Sequence, residues 1–166
     1  MTPFEMVGYG RYRPRENRPS VELDARFNQP PGWTEGKFGI RERGIAAPDE
    51  TSSFMGAAAA RDALAMAGWA PGAFDVLIGA CGVMEQPIPE TSVLIQNALG
   101  LGKSGVWAFD VNQTCLSFLT ALDIAAMGMD TGRFKRALIV SSDIASAGLV
   151  PSSAAHQGPG CELSLR

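Results

Sequence analysis

One cysteine stands where a sequence of this kind can place a nucleophile. Cys115 follows the strand-like run Val106–Val111 and opens a helix-like segment that reaches Asp130. Ligands of open α/β sheets bind beyond the carboxyl ends of the strands. A helix start also carries partial positive charge and free N–H groups, which favour a thiolate. The pattern therefore predicts a reactive thiol at Cys115, and a buried, inert cysteine is the open alternative.

The helix start alone does not activate this thiol fully. Lowering a thiol pKa from about 8.5 to 7 takes roughly 2 kcal/mol, whereas a helix end supplies about 0.3–1 kcal/mol. A catalytic Cys115 therefore needs a second helper, and histidine is the usual one. The only histidine of the chain, His156, lies in a stretch of Pro, Ser, Ala and Gly, which makes it a poor candidate.

Several other chemistries lack their residues. A phosphatase-type Cys-x5-Arg loop needs arginine at position 121, which is Ala121. The hydrolase elbow Gly-x-Ser-x-Gly and the two glycine-rich nucleotide loops do not occur. Cys81 falls within a strand-like run and Cys161 near the C-terminus, so the cysteines lack metal-ligand spacing. The sequence therefore predicts no metal site.

The elements that must position Cys115 alternate between two periodicities. Short apolar runs predict four strands, at 4–10, 75–83, 106–111 and 136–142. Capping residues and glycine stops predict three helices between them, at 55–67, 91–99 and 115–130. This order is typical of an α/β fold with a mostly parallel sheet covered by helices on both faces.

Residues 11–50 interrupt the alternation and look like an insertion after the first strand. They hold several prolines and one short helix candidate, Ser20–Phe27, which Ser20 is expected to cap. Insertions on such scaffolds often shape binding sites. Residues 148–166 are rich in turn formers and lack periodicity, so we expect a disordered or non-native tail.

The composition narrows the class of protein. The 166 residues include 14 Lys and Arg against 17 Asp and Glu, for a net charge of −3, and 46% of them are hydrophobic. Mild acidity argues against non-specific nucleic-acid binding. Three cysteines cannot pair fully, and no run is apolar enough to cross a bilayer, so we expect a cytoplasmic protein without a membrane partner.

Several segments together resemble the β-ketoacyl-acyl-carrier-protein synthase III family, which has the thiolase fold. They stand in the family's order over about residues 4–147, and the most telling are Gly39-Ile-Arg-Glu-Arg43, Glu50-Thr-Ser-Ser53, Pro87-Ile-Pro89, Phe109-Asp110 with Cys115, and Ala137-Leu-Ile-Val-Ser-Ser-Asp143. The resemblance implies that residues 1–147 form the N-terminal, thiolase-like half of a condensing enzyme. It also implies that residues 11–50 contribute to a coenzyme A site.

The resemblance further implies an activity and a set of site residues. Cys115 would accept an acyl group from acyl-coenzyme A and pass it to malonyl-acyl carrier protein by decarboxylative condensation, a step of fatty-acid or related biosynthesis. Trp33 would stack on the adenine, with Lys37 nearby where the family often has arginine. Ile88 would limit acyl length at a homodimer interface, and Leu116, replacing a small residue, would alter the pocket floor. No permanently bound cofactor is implied.

Two alternatives follow from departures of this sequence from the family. The family carries a second half with a histidine and an asparagine that promote decarboxylation, and neither has a counterpart here. The chain could therefore be truncated, or a non-catalytic subunit that needs another polypeptide. It could also be a different acyl-condensing member of the thiolase superfamily, since the first half of the fold hardly distinguishes them. Acyl length and acceptor stay open.

Overall fold

A computed structural model describes residues 4–145 of the chain. It contains five strands and five helices in these residues, together with one short 3-10 helix, Thr114–Leu116. The strands are β1 (Glu16–Pro19), β2 (Glu42–Ile45), β3 (Val76–Ala80), β4 (Trp107–Val111) and β5 (Ala137–Val140). The helices are α1 (Ser20–Arg26), α2 (Trp33–Phe38), α3 (Ser52–Ala67), α4 (Thr91–Ala98) and α5 (Ser117–Asp130).

The central sheet is parallel and has the order β4-β3-β5. Alternate residues of β3 point to opposite faces. On one face, Leu77 packs with side chains of α3 and α4, including Leu64 and Ile95. On the other face, Val76 and Ile78 pack with residues of α5. The predicted parallel sheet with helices on both faces is therefore confirmed.

Local signals place the ends of the longer helices. The Thr51 hydroxyl oxygen accepts a hydrogen bond from the Phe54 N–H at 3.2 Å and so caps α3. Gly68 ends α3 with a φ of +66°, a conformation that favours glycine. At α4 a carboxylate from another element does the capping. The Asp110 carboxylate accepts from the N–H groups of Thr91 and Ser92 at 3.0 and 2.8 Å.

The predicted first strand, Phe4–Gly10, is wrong, because these residues form no strand. They run along α3, where Gly8 and Gly10 fit so closely that a Cβ on either would overlap the carbonyl oxygens of Ala63 and Ala59. A groove separates the segment from β5. Without a neighbouring strand at hydrogen-bonding distance the segment has no ladder to join.

Residues 11–50 are more ordered than the sequence indicates. β1 and β2 pair antiparallel, with Glu16 opposite Ile45, and the predicted helix is present as α1. The predicted cap by Ser20 is wrong, since Pro19 takes the capping position and the Ser20 hydroxyl donates to the Ile40 carbonyl at 2.7 Å. The strands escaped prediction because they are short, polar and largely exposed.

A buried carboxylate ties this region to the rest of the molecule. Glu50 lies fully buried just before α3 and accepts hydrogen bonds from the Tyr12 hydroxyl and the N–H groups of Arg15 and Ala47, at 2.6, 3.0 and 2.8 Å. These bonds, led by the one from Ala47, hold the pKa of Glu50 below its ordinary value. Glu50 therefore fixes the insertion to α3.

Some predicted features lie outside the described residues, namely the expected tail at 148–166 with His156 and Cys161. Within residues 4–145, no helix is long and apolar enough to cross a membrane.

Candidate active site

Cys115 sits in a turn between β4 and α5, at the carboxyl edge of the sheet. It is exposed and occupies the middle of the 3-10 helix, so α5 itself begins at Ser117 rather than at the predicted Cys115. The alternative of a buried, inert residue is therefore wrong for Cys115. Its N–H is not hydrogen-bonded to any other residue in the described range. Both the thiol and this donor are available to a ligand.

Side chains on either side of Cys115 hold the turn in shape. Asn112 accepts from the Thr114 N–H at 3.1 Å through Oδ1 and donates to the Gly82 carbonyl at 3.3 Å through Nδ2. Ser117 accepts from the Gln113 N–H at 2.9 Å and donates to the Thr114 carbonyl at 2.8 Å. The turn is thereby bonded to α5 on one side and to the end of β3 on the other.

The residue before Cys115 has an unusual backbone conformation. Thr114 has a φ of +51°, which is rare for a β-branched residue and marks local strain. Gly82 presses against it from the end of β3, where a Cβ would lie 3.2 Å from the Thr114 carbonyl oxygen. Glycine at position 82 therefore permits the close approach that sets the position of Cys115.

We expect Gly82→Ala to reduce the rate at which Cys115 reacts while leaving the fold intact. The added methyl group must displace the Thr114 carbonyl by a few tenths of an ångström. Small misplacements of a nucleophile cost up to about a hundredfold, so we expect roughly a tenfold loss. The rate of thiol alkylation at Cys115 measures it, with Gly102→Ala as control because a Cβ there has its nearest atom at 3.4 Å.

The loops that follow β3 and β5 meet at this same edge of the sheet. Asp143, after β5, accepts from the Val83 N–H at 2.6 Å through Oδ1. Glu85, further along the β3 loop, accepts from the N–H of Ser53 at 2.6 Å. A cavity of about 330 Å³ lies between this loop and residues 46–52, and Cys115 is not among its lining residues. The edge therefore combines an accessible thiol with a neighbouring cavity.

The second cysteine that the structure describes has the opposite character. Cys81 is buried, and its thiol lies 3.5 Å from the Ser142 carbonyl oxygen. Burial raises the pKa of Cys81 to about 11, so it is a neutral thiol at physiological pH. Cys115 is therefore the accessible thiol of residues 4–145. That range contains no histidine to assist it.

Trp33 and Lys37 lie together on α2. They are one helical turn apart, and the Lys37 Nζ stands 4.8 Å from the centre of the Trp33 ring. Trp33 is 36% exposed and also meets Phe38 edge to face, at 5.5 Å between ring centres. An accessible aromatic face beside a cation suits a base next to a phosphate. Between described residues, no hydrogen bond, ion pair or ring contact joins this pair to Cys115.

A buried aspartate that the sequence analysis missed orients Trp33. Asp24 accepts from the N–H groups of Gly32 and Thr34 at 2.8 and 3.0 Å, and from the Thr34 hydroxyl. These bonds, led by the one from the Thr34 side chain, lower the pKa of Asp24 from its ordinary value. The capping residue comes from α1, eight residues before Gly32, so no local capping motif reveals it.

Replacing Asp24 with asparagine is expected to loosen the start of α2. The variant loses the charge that strengthens the bonds to Gly32 and Thr34, so their amide hydrogens should exchange about tenfold faster. Hydrogen exchange with mass spectrometry measures this. In the parent protein the lowered pKa of Asp24 keeps protection at neutral pH and loses it as the pH falls through that value. An unchanged rate in Asp24→Asn would refute the capping role.

The remaining predicted site residues, Ile88 and Leu116, are both exposed. Ile88 is 86% exposed in the loop after β3, and Leu116 is 54% exposed beside the nucleophile. The structure does not bury either residue in an acyl pocket. No group of three or more His, Cys, Asp or Glu side chains in residues 4–145 could hold a metal ion.

Comparisons with known proteins agree on one family. Residues 109–155, which include Cys115, match the family model described as 3-oxoacyl-[acyl-carrier-protein (ACP)] synthase III. The β-ketoacyl-[acyl-carrier-protein] synthase III of Acidiphilium cryptum (strain JF-5) is 35% identical over 141 residues, which cover 85% of this chain and 43% of the relative. That of Escherichia coli (strain K12) is 36% identical over 140 residues, covering 84% and 44%.

Solved structures show the same fold. The 3-oxoacyl-[acyl-carrier-protein] synthase III of Aquifex aeolicus VF5 superposes with a TM-score of 0.79 at 32% identity, over 85% of this chain and 45% of that one. The priming β-ketosynthase of the R1128 polyketide pathway gives 0.76 at 35% identity, over 82% and 40%. The chain thus spans less than half the length of these relatives. In sequence and fold it belongs to the β-ketoacyl-acyl-carrier-protein synthase III family, as an N-terminal half with the thiolase-like architecture.

Proposed function

We propose that this chain, corresponding to residues 1–147 of the family's first half, carries the nucleophile of a cytoplasmic acyl-condensing enzyme. The observation that supports this most is the exposed thiol of Cys115 in a strained turn at the carboxyl edge of the sheet. Its relatives are named for the acyl carrier protein and for 3-oxoacyl synthesis. The reaction class is acyl transfer in fatty-acid or related biosynthesis, without a permanently bound cofactor.

The proposed reaction has two steps. The Cys115 sulfur attacks the thioester carbonyl of acyl-coenzyme A, a new carbon–sulfur bond forms, and coenzyme A leaves as its thiol. The free N–H of Cys115 is available to stabilise the negative oxygen that develops. Malonyl-acyl carrier protein then loses carbon dioxide, and its carbanion attacks the Cys115 thioester. This forms the 3-oxoacyl product and returns the thiol.

A pulse and chase tests both steps. The chain is incubated with acetyl-coenzyme A, and its intact mass is followed before and after malonyl-acyl carrier protein is added. We expect an acyl adduct that the carrier protein removes as a 3-oxoacyl product. Absence of any adduct in the folded protein contradicts the first step, whereas a stable adduct that is never removed contradicts only the second.

Coenzyme A recognition is assigned to α2, because Trp33 presents a half-exposed ring next to the Lys37 ammonium. We expect Trp33→Ala to raise KM for acyl-coenzyme A by roughly tenfold, since stacking on a base contributes about 1–3 kcal/mol. The rate at saturation should stay near that of the parent. Phe27→Ala, which removes another exposed aromatic ring of the same region, is the control and should leave KM unchanged.

The homodimer is also part of the proposal. β4 is an edge strand of the central sheet, and its Trp107 is 45% exposed. Ile88 projects from the neighbouring β3 loop and could reach the acyl pocket of a second copy. Such a pocket would have Leu116 at its floor. Light scattering of the purified chain tests the assembly, and a monomer at micromolar concentration contradicts it.

A second candidate function is a subunit that needs another polypeptide for condensation. It is favoured by the length of the match, which covers 43% of the Acidiphilium relative. The pulse and chase separates the two candidates. A subunit of this kind forms the Cys115 adduct but turns it over only when the other polypeptide is added.

A further inference from the structure

A groove of about 720 Å³ runs beside the central sheet, away from the residues assigned to the reaction. One wall is β5, and the opposite wall is the extended segment Phe4–Gly10. Helices α3 and α5 supply the other two sides. Most of the lining surface is apolar, and the groove is open to solvent.

Both walls of the groove are strand edges without a partner. Among described residues β5 pairs only with β3, so its other edge carries free N–H and C=O groups. No backbone hydrogen bond joins Phe4–Gly10 to any other residue of the described range. Gly8 and Gly10 both face α3, so this wall has the two-residue period of a strand. A strand between them could form ladders on both sides.

The other two sides define the side chains that such a strand must carry. Small residues of α3, such as Ala59 and Ala63, line one side, and the larger Leu122 and Met129 of α5 line the other. A strand covered on both faces reads as a continuous apolar run. Side chains directed at α3 must be accommodated beside its alanines, and a charge on either face would be buried without a partner.

The chain itself offers no segment of this pattern. The one alternating run in residues 146–166 is Cys161–Leu165, which would direct Glu162 and Ser164 against one of the apolar sides. A second copy offers none either, because its apolar strands β3, β4 and β5 are held within its own sheet. We infer that the groove accepts one β-strand of about five uncharged apolar residues from a different polypeptide, inserted between β5 and Phe4–Gly10.

A synthetic strand tests this with the full chain. The probe is a capped peptide of three Ala-Ile repeats with one lysine at each end. Calorimetry should show one peptide per chain, and hydrogen exchange should slow at Phe4–Gly10 and at β5. Phe118→Asp, which puts a charge in the groove, should weaken binding at least roughly tenfold. Leu119→Asp changes the next, exposed residue outside the groove and should leave affinity unchanged.

Three results would overturn the inference. The peptide could fail to bind, or bind Phe118→Asp and the parent equally. The two walls could already be protected from exchange without peptide in a monomer, which would mean that the chain's own residues fill the groove. Finally, light scattering could show a peptide-free dimer that Phe118→Asp dissociates, which would make a second copy the occupant. Circular dichroism verifies that both variants fold.

Discussion

Cys115→Ala is expected to abolish acyl transfer from acyl-coenzyme A, with a loss of at least about a thousandfold. No other accessible thiol is present in residues 4–145, so nothing in the described structure can replace it as acyl acceptor. Cys115 is exposed on a surface turn, and alanine there removes no buried contact. The variant should therefore unfold at the same temperature as the parent, which separates lost chemistry from lost structure.

The matched control is Cys81→Ala. The thiol of Cys81 is buried with its pKa raised to about 11, so fewer than roughly one molecule in a thousand is ionised at pH 7.5. Acyl transfer should persist in this variant, although the loss of a buried sulfur lowers its stability. Acyl transfer that survives in Cys115→Ala, or that disappears only in Cys81→Ala, would contradict the assignment. Carrying both tests in a Cys161→Ser background removes the third cysteine from the comparison.

The second large effect is expected from Asp110→Ala. The Asp110 carboxylate caps α4 through the N–H groups of Thr91 and Ser92, whose residues are completely buried. Its removal leaves both donors unpaired in the core, which should cost about 2–4 kcal/mol of unfolding free energy. Gly79 lies so close to this carboxylate that a Cβ there would overlap it, and the close packing leaves water little access.

Urea denaturation followed by circular dichroism measures this loss. Asp123→Ala provides the control, because Asp123 is exposed on α5 and should change the unfolding free energy by no more than about 0.5 kcal/mol. Asp110→Asn should fall between the two, since its amide oxygen can still accept one of the two bonds. Equal stabilities of Asp110→Ala and Asp123→Ala would show that the cap is unimportant.

The parts of the fold that the sequence predicts are those with strong local signals. β3 is an unbroken apolar run, and all five of its residues are buried. The ends of α3 follow from Thr51 and Gly68, which act within a few residues of themselves. Cys115 was found in the same way, because a strand, a short turn and a helix place it at the sheet edge. These inferences need no knowledge of distant contacts.

The features that sequence reasoning missed depend on residues far apart in the chain. Phe4–Gly10 has strand-like residues, but a strand needs a neighbour, and the groove takes its place. Asp24 and Glu50 become important only once folding brings backbone N–H groups to them. The strain at Thr114 likewise arises from contact with Gly82 on another strand. The α2 pairing of Trp33 with Lys37 was compatible with the sequence because the two stand one turn apart.

Peptide mapping by mass spectrometry after incubation with acetyl-coenzyme A tests the central claim most directly. We predict one acetyl group per chain, held as a thioester on the peptide that contains Cys115, with an equal amount of free coenzyme A released. The peptide containing Cys81 should stay unmodified. An acetyl group on any other residue, or a folded chain with none, would contradict the claim that Cys115 is the acyl acceptor.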